Sequence, residues 1–197
     1  MDFHADTCSL NETAYVIEYL GKVAEVSGFT SSLNTIRDVP IVKAALAYDD
    51  HESGETIILM FNQALYFGNN QLPNILLNPN QMRSQGLIVE DCPKHLSRGK
   101  STHSIIVKDE NLVIPLRLHG VMSYFNVRAP IVHEIDQCLN VQMTQEHVEW
   151  EPYSDMHLQH EEELNNFKTN EENHQYRLIQ SISSINVNYD DIHLILS

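Results

Sequence analysis

The first eight residues, MDFHADTC, concentrate side chains that can do chemistry: two carboxylates, an imidazole, a hydroxyl and a thiol. Nucleophilic catalysis by serine or cysteine has no local signature, because the chain lacks a G-x-S-x-G motif and the spacing of His4 and Cys8 alone defines no geometry. A phosphate-binding loop is not indicated either, since all seven glycines are isolated. Asp2 and Asp6 are therefore the candidates for carboxylate chemistry in this run.

His157 and His160 have helical spacing beside Glu161, and this spacing can hold a metal ion. The segment around them is acidic and poor in apolar residues, and it offers no obvious third ligand on a rigid element. We interpret these side chains as a solvated helix face. The sequence thus predicts neither a metal site nor a cofactor.

The chain has 197 residues, and its 27 acidic against 12 basic side chains give a formal net charge of -15. Such a surface repels phosphate backbones and acidic lipids, which predicts no nucleic-acid or membrane partner. No apolar run approaches the ~18 to 20 residues that span a bilayer, and the first residues lack the pattern of a signal peptide. We expect a soluble, intracellular, cytoplasmic protein in which Cys8, Cys92 and Cys138 are free thiols.

A short helix is the element with the clearest signals. Asn78 can cap it, Pro79 suits its first turn because the N–H there is unpaired anyway, and Gly86 suits the left-handed position after its end. These signals agree with one another. They predict a helix of about two turns from Pro79 to Gln85.

Short strand-like segments separated by turn residues make up most of the chain up to about residue 135, which predicts a mainly β fold. Polar residues 49–54 predict a hairpin, and His119-Gly120 predicts a tighter one. Pro115 cannot donate a ladder hydrogen bond, so its strand is expected at a sheet edge. The predicted strands are 14–20, 22–27, 41–48, 56–61, 87–89, 104–108, 112–118 and 121–127.

The composition changes after about Val132. Residues 160–173 are acidic and sparse in apolar side chains, which indicates a solvated helix or disorder. Residues 179–197 regain apolar alternation and suggest a late strand or a docking peptide. We interpret the run from Trp150 to Tyr153 as an anchoring segment that docks this tail onto the β domain.

Three landmarks of the chain resemble the retropepsins, the aspartic proteases of retroviruses and LTR retrotransposons. Asp2-x-x-Ala5-Asp6-Thr7 is similar to their active-site loop. Ile75-Leu76-Leu77, followed by the short helix, resembles the strand that crosses under that loop, and Val26-Ser27-Gly28-Phe29 occupies the place of the flap that closes over substrate. The amino-acid sequence over roughly residues 1–153 is similar to copia-type retrotransposon polyproteins.

The resemblance implies a retropepsin-like closed β barrel with one short helix, and Asp2 as the catalytic residue. Peptide hydrolysis of this class needs two carboxylates that share one proton. Because the chain holds one Asp-x-x-Ala motif, the second carboxylate must come from another copy, which implies a two-fold homodimer acting on a polypeptide. The substrate-binding positions implied are Ala5, Asp6, Thr7, Gly28 and Phe29.

The chain departs from the family pattern in the loop itself. Phe3 stands where the family has a hydroxyl that braces the two carboxylates, and His4 stands where it has glycine. The strand that precedes the catalytic aspartate is expected to be missing, as in a fragment or a decayed reading frame. Asp6-Thr7-Cys8 also imitates an Asp-Thr-Gly triplet, although no apolar strand leads into it.

The predicted domains are a retropepsin-like domain at 1–93, a β-hairpin extension at 94–135 and an acidic tail at 136–197 that is helical or disordered. The predicted function is an aspartic endopeptidase that processes its own polyprotein as a homodimer. The alternative is a catalytically dead remnant that serves as a dimeric protein-interaction module. An unrelated β-rich binding protein is a third hypothesis, and it would separate the first residues from the helix at Pro79.

Overall fold

The computed structural model describes residues 6–27, 34–68 and 72–165. The described chain is mainly β, as predicted, with a few short helices. In chain order the elements are β1 (Ser9–Asn11), β2 (Tyr15–Val26), β3 (Ile36–Asp49), β4 (Thr56–Phe67), α1 (Pro79–Ser84), β5 (Ile88–Glu90), β6 (Ser104–Val107), β7 (Leu112–Pro115), β8 (Arg117–His119), β9 (Met122–Tyr124), α2 (Val132–Gln137) and β10 (Leu139–Gln142).

A five-stranded sheet forms the centre of the first compact unit, residues 1–152; four strands have the order β1-β4-β3-β2, and the fifth, β10, also pairs with β4. β3 and β4 form the predicted hairpin, which closes where Asp50 N–H donates to Glu55 O at 2.9 Å. On its other edge, β4 pairs in parallel with β10 near its start and with β1 near its end. β4 therefore lies between strands that come from both ends of the unit.

β2 is one strand of 12 residues and not the two strands that the sequence predicted. The predicted break at Gly21 is instead a register irregularity, since the pairing with β3 shifts between Tyr19 and Val23. Gly21 has a φ of 70°, a conformation that glycine adopts without steric cost. A glycine inside a strand thus marks a bulge here, while the strand continues beyond it.

The sheet buries both of its faces because β3 and β4 carry near-continuous apolar runs. One face contributes Leu46, Leu59 and Phe61 to the main core, which also contains Met82 of α1 and Ile105 of β6. The other face forms a smaller cluster under α2, made of Ala45, Ala47, Ile58 and Met60, with Ile135 and Cys138 packed against it. α2 was not predicted; it lies outside residues 1–93, for which one short helix was expected.

α1 confirms the predicted helix and its caps. The Asn78 side chain accepts a hydrogen bond from Gln81 N–H at 2.7 Å, and Pro79 occupies the first turn. At the other end, Leu87 N–H donates to Met82 O and Gly86 N–H donates to Arg83 O, which is a Schellman motif. Gly86 has the expected left-handed backbone, with a φ of 96°.

Two small sheets follow α1, one of β5, β6 and β7 and one of β8 and β9. Pro115 lies on β7, an end strand of its sheet, as predicted. The predicted strand 112–118 is divided between β7 and β8, and the β8–β9 turn is Gly120-Val121 and not His119-Gly120. Gly120, the first residue of this turn, has a φ of 61°, a conformation that glycine adopts without steric cost.

The described residues form open sheets, and they include no closed barrel, which the sequence had predicted. The predicted boundaries also differ from the observed units. Residues 139–142 form β10 inside the central sheet, and the chain divides after Pro152, neither at 93 nor at 135. The composition of β10, a strand of four residues, does not distinguish it from the acidic tail, and the sequence therefore placed it in the predicted tail.

The second compact unit comprises residues 153–197. Residues 155–165 are helical, as predicted for part of the tail, and His157 and His160 lie on this exposed helix. The predicted strand or docking peptide at 179–197 lies outside the described residues. Within the described part of the chain, no helix is both long and apolar enough to cross a membrane.

Candidate active-site loop

Two of the predicted site residues, Asp6 and Thr7, belong to the described part of the chain. They form a bend that leads into β1, with Asp6 exposed and Thr7 half-buried. Asp2, Ala5, Gly28 and Phe29 lie outside the described residues. The geometry of the candidate site is therefore that of the loop residues nearest to β1.

β1 is held on both sides of Ser9. On one side Ser9 pairs in parallel with Leu65 of β4, and the Leu65 N–H donates to Cys8 O at 2.9 Å. On the other side Ser9 and Leu76 exchange two backbone hydrogen bonds of 2.7 and 2.9 Å. The end of the loop thus lies directly beside the run Ile75–Leu77 that precedes α1.

Cys8 joins the loop to the start of α1. Its N–H donates to Gln81 Oε1 at 2.7 Å, and its sulfur accepts a hydrogen bond from Asn78 N–H at 3.3 Å. Cys8 and Gln81 are almost completely buried. A buried polar group without a partner costs roughly 1–3 kcal/mol, so any movement of the loop that breaks these hydrogen bonds is unfavourable.

Gln63 of β4 is the meeting point of three segments. Its carbonyl oxygen accepts from Gln81 Nε2 at 2.7 Å, and its side-chain amide donates to the carbonyl oxygens of Gln145 and Val148 at 2.9 and 2.6 Å. Thr144 Oγ1 accepts from the Gln63 N–H at 3.3 Å. The chain that follows β10 is therefore fastened to the same residue as α1.

Trp150 completes a closed ring of hydrogen bonds around the loop, which we call the loop junction. Its N–H donates to Gln63 Oε1 at 2.8 Å, and its indole Nε1–H donates to Asp6 O at 3.0 Å. The ring runs from Asp6 through Trp150, Gln63 and Gln81 to Cys8. Both ends of the three-residue stretch Asp6–Cys8 are thereby tied to the sheet.

Burial raises the pKa of the Cys8 thiol to about 12. At neutral pH the thiol therefore stays protonated, and a protonated thiol is not the nucleophilic form. This residue is a structural part of the loop junction. Burial and the hydrogen bonds of Cys8 thus disfavour it as a nucleophile.

The β2–β3 hairpin brackets the predicted flap. Val26 pairs with Ile36, and the hydroxyls of Ser27 and Thr35 lie 3.3 Å apart at the ends of the two strands. Glu149 and Glu146 form ion pairs with Lys22 of β2 and Lys43 of β3. The hairpin and the loop junction are thus linked by the same segment, residues 143–150.

A cleft of about 220 Å³ lies away from the loop, between the β3–β4 turn and the segment that follows β9. Arg128 beside it binds Asp49 and Glu134 with four hydrogen bonds of 2.7–2.8 Å, which we call the ionic cluster. These bonds lower the pKa of both carboxyl groups and raise that of the guanidinium. None of the described site residues predicted from the sequence lines this cleft.

In the ranges 6–27, 34–68 and 72–165, no group of three His, Cys, Asp or Glu side chains is arranged to hold a metal ion. Comparisons with known proteins gave no match to any protein-family model, curated protein or solved structure. The function must therefore be argued from the residues and the geometry of this chain.

Sequence reasoning missed three of the residues that hold the loop, namely Gln63, Gln81 and Trp150. Gln81 carried a signal, because glutamine three residues after the Asn78 cap is typical of a capping box. The structure uses it differently: its side chain reaches Cys8 and Gln63 and not the cap N–H. Trp150 was expected to anchor the chain, but its bond to Asp6 has no local signature.

Proposed function

We propose that this chain carries a retropepsin-like domain of a copia-type retrotransposon polyprotein and that it acts as an aspartic endopeptidase on that polyprotein. The observation that carries the proposal is the contact between the loop and the segment before α1. Ser9 exchanges two backbone hydrogen bonds with Leu76, and Cys8 bonds Gln81 of the helix. Two landmarks that are 70 residues apart in the sequence are adjacent in space.

The β2–β3 hairpin adds support, because Gly28 and Phe29, the third landmark of the family pattern, lie between these two strands in the sequence. In this proposal Asp2 lies upstream of the fastened residues Asp6–Cys8, and Asp2 of the partner subunit supplies the second carboxylate. The two carboxylates share one proton, so one accepts a proton from water while the other donates to the scissile carbonyl oxygen. A polypeptide would lie along Asp6 and Thr7, under the hairpin.

The test is cleavage of a peptide library by the full chain at about pH 5, where a carboxylate pair of this kind holds one proton. We expect cleavage that pepstatin blocks and that Asp2→Asn abolishes. Asp109→Asn, in the exposed β6–β7 turn, is the matched control and should cleave like the wild type. Cleavage that survives Asp2→Asn, or no pepstatin-sensitive cleavage at all, contradicts the proposal.

Phe3 and His4 favour a second candidate, a catalytically dead module that keeps the dimer. Neither residue can supply the small hydroxyl and glycine pair that the family uses to brace its carboxylates. Sedimentation equilibrium of the same samples separates the candidates. A dimer without cleavage supports the interaction module, whereas a monomer without cleavage contradicts both.

A further inference from the structure

The segment after β10 reaches across the sheet to the loop. Met143 N–H donates to Met60 O at 2.8 Å, and Thr144 Oγ1 accepts from Asn62 N–H at 2.9 Å. Gln63 then holds Gln145 and Val148 through its side-chain amide. Residues 143–150 thus continue the edge of the sheet beyond β10 and end at Trp150.

The indole N–H of Trp150 donates to the carbonyl oxygen of Asp6 at 3.0 Å, at a surface position that a ligand can reach. This side chain is therefore placed at the loop itself, and its backbone N–H is held by Gln63. The Cys8 end of the loop is fastened independently by Gln81. Loss of the indole donor would remove one bond that holds the Asp6 end, while the Cys8 end stays bonded to α1.

We propose that Trp150 is a positioning residue for the loop that carries Asp6 and Thr7, so that residues 143–150 form part of the polypeptide-binding site. The role of the loop in binding rests on the proposed function, whereas the positioning itself does not. The same segment is paired with Lys22 and Lys43 of the β2–β3 hairpin. The segment therefore contacts both the loop and the two strands of the hairpin.

Amide hydrogen exchange of the full chain tests the positioning without any need for catalysis. Trp150→Phe keeps an aromatic ring and removes the N–H donor, and one hydrogen bond is worth a factor of about five in a local equilibrium. We expect exchange about five-fold faster at Thr7, with no change at Cys8, whose N–H stays bonded to Gln81, or at Ile105 and Ile114 in the separate sheet. Tyr124→Phe, an exposed aromatic change on β9, should change neither region.

Because Trp150 is the single tryptophan, benzothienylalanine can replace it and keep the bicyclic shape while sulfur takes the place of N–H. This analogue should reproduce the faster exchange. Unchanged exchange at Thr7 in both proteins, or an equal increase throughout the sheet, would overturn the proposal.

Cleavage kinetics then test the role in binding. With a peptide that the wild-type chain cleaves, Trp150→Phe should raise KM about five-fold and leave kcat within a factor of about two, since the lost bond orients a binding loop. A fall in kcat with unchanged KM contradicts this assignment. If the wild type cleaves nothing, the proposed function fails, and the exchange rates alone decide whether Trp150 positions the loop.

Discussion

The loop junction and the ionic cluster fasten different segments to the same sheet with opposite chemistry. The loop junction joins Asp6–Cys8 to β4 and α1 through neutral groups, and Gln81 at its centre is 1% exposed. The ionic cluster joins α2 to the β3–β4 turn through full charges, and 40% of the Arg128 side chain is exposed. The loop junction thus depends on burial and the ionic cluster on formal charge to hold a segment in place.

Physical reasoning favours burial. Water competes for every exposed ion pair, and the pair also loses side-chain entropy, so such pairs contribute ~0 to 1 kcal/mol. When the partner of a buried amide is removed, water does not replace the lost hydrogen bond. The neutral loop junction should therefore be the stronger fastening, although it holds no charge.

Replacement of Gln81 by alanine should have the largest effect. The substitution removes the acceptor of the Cys8 N–H and one donor to the Gln63 carbonyl oxygen. We therefore expect the free energy of unfolding to fall by about 2–4 kcal/mol. Urea unfolding followed by circular dichroism measures it. Gln137→Ala, an exposed glutamine of α2, is the matched control and should change stability by less than about 0.5 kcal/mol.

A loss as small as that of the control would mean that water replaces Gln81 at the loop junction. In that case burial would not be the reason why this fastening is strong, and the comparison with the ionic cluster would lose its basis.

Local signals predicted α1 well, because the cap, the proline and the terminal glycine act within nine residues of one another. They carried no information on what α1 fastens, since the partners of Gln81 are Cys8 and Gln63. Contacts between residues 18 and 73 positions apart depend on the packing of the sheet, which no local propensity encodes. The same holds for the candidate site, where loop residues were identified but not the groups that hold them.

β10 is an element that local sequence signals did not predict. Its four residues, LNVQ, contain two polar side chains and give no alternation longer than one period. Val141 alone is buried, and the strand exists because its backbone pairs with Ile57–Met60 of β4. Composition assigned it to the tail, whereas tertiary pairing places it in the sheet.

His103 is a buried group that can titrate, so its contribution to stability shows the effect of burial as a dependence on pH. His103 Nε2 lies 2.8 Å from Ser123 Oγ in a buried contact, and burial is the main cause that lowers its pKa, with Lys94 adding to it and Asp91 opposing it. The folded state therefore binds its proton less readily than the unfolded state. The resulting stability is complete above pH ~6.5, the pKa of an unperturbed histidine, and is lost as the pH falls from there through the folded pKa.

His103→Gln removes this titration. We expect the wild type to be more stable than the variant at about pH 7.5 and this advantage to shrink at about pH 5.5, by urea unfolding at both values. His119→Gln, at the exposed end of β8, is the matched control for the loss of a histidine side chain. A constant difference between wild type and His103→Gln across this range contradicts the prediction.

Arg128→Lys should have the smallest effect of the three substitutions. Lysine keeps the charge but cannot form the forked, charge-assisted bonds to Asp49 and Glu134, so part of the ionic interaction is lost. Because the site is exposed, we expect a loss of about 0.5–1 kcal/mol that decreases in about 1 M salt, where charges are screened within ~3 Å. Urea unfolding at low and high salt measures both numbers. A loss larger than that of Gln81→Ala would reverse the comparison, because charge would then outweigh burial in fastening a segment to this sheet.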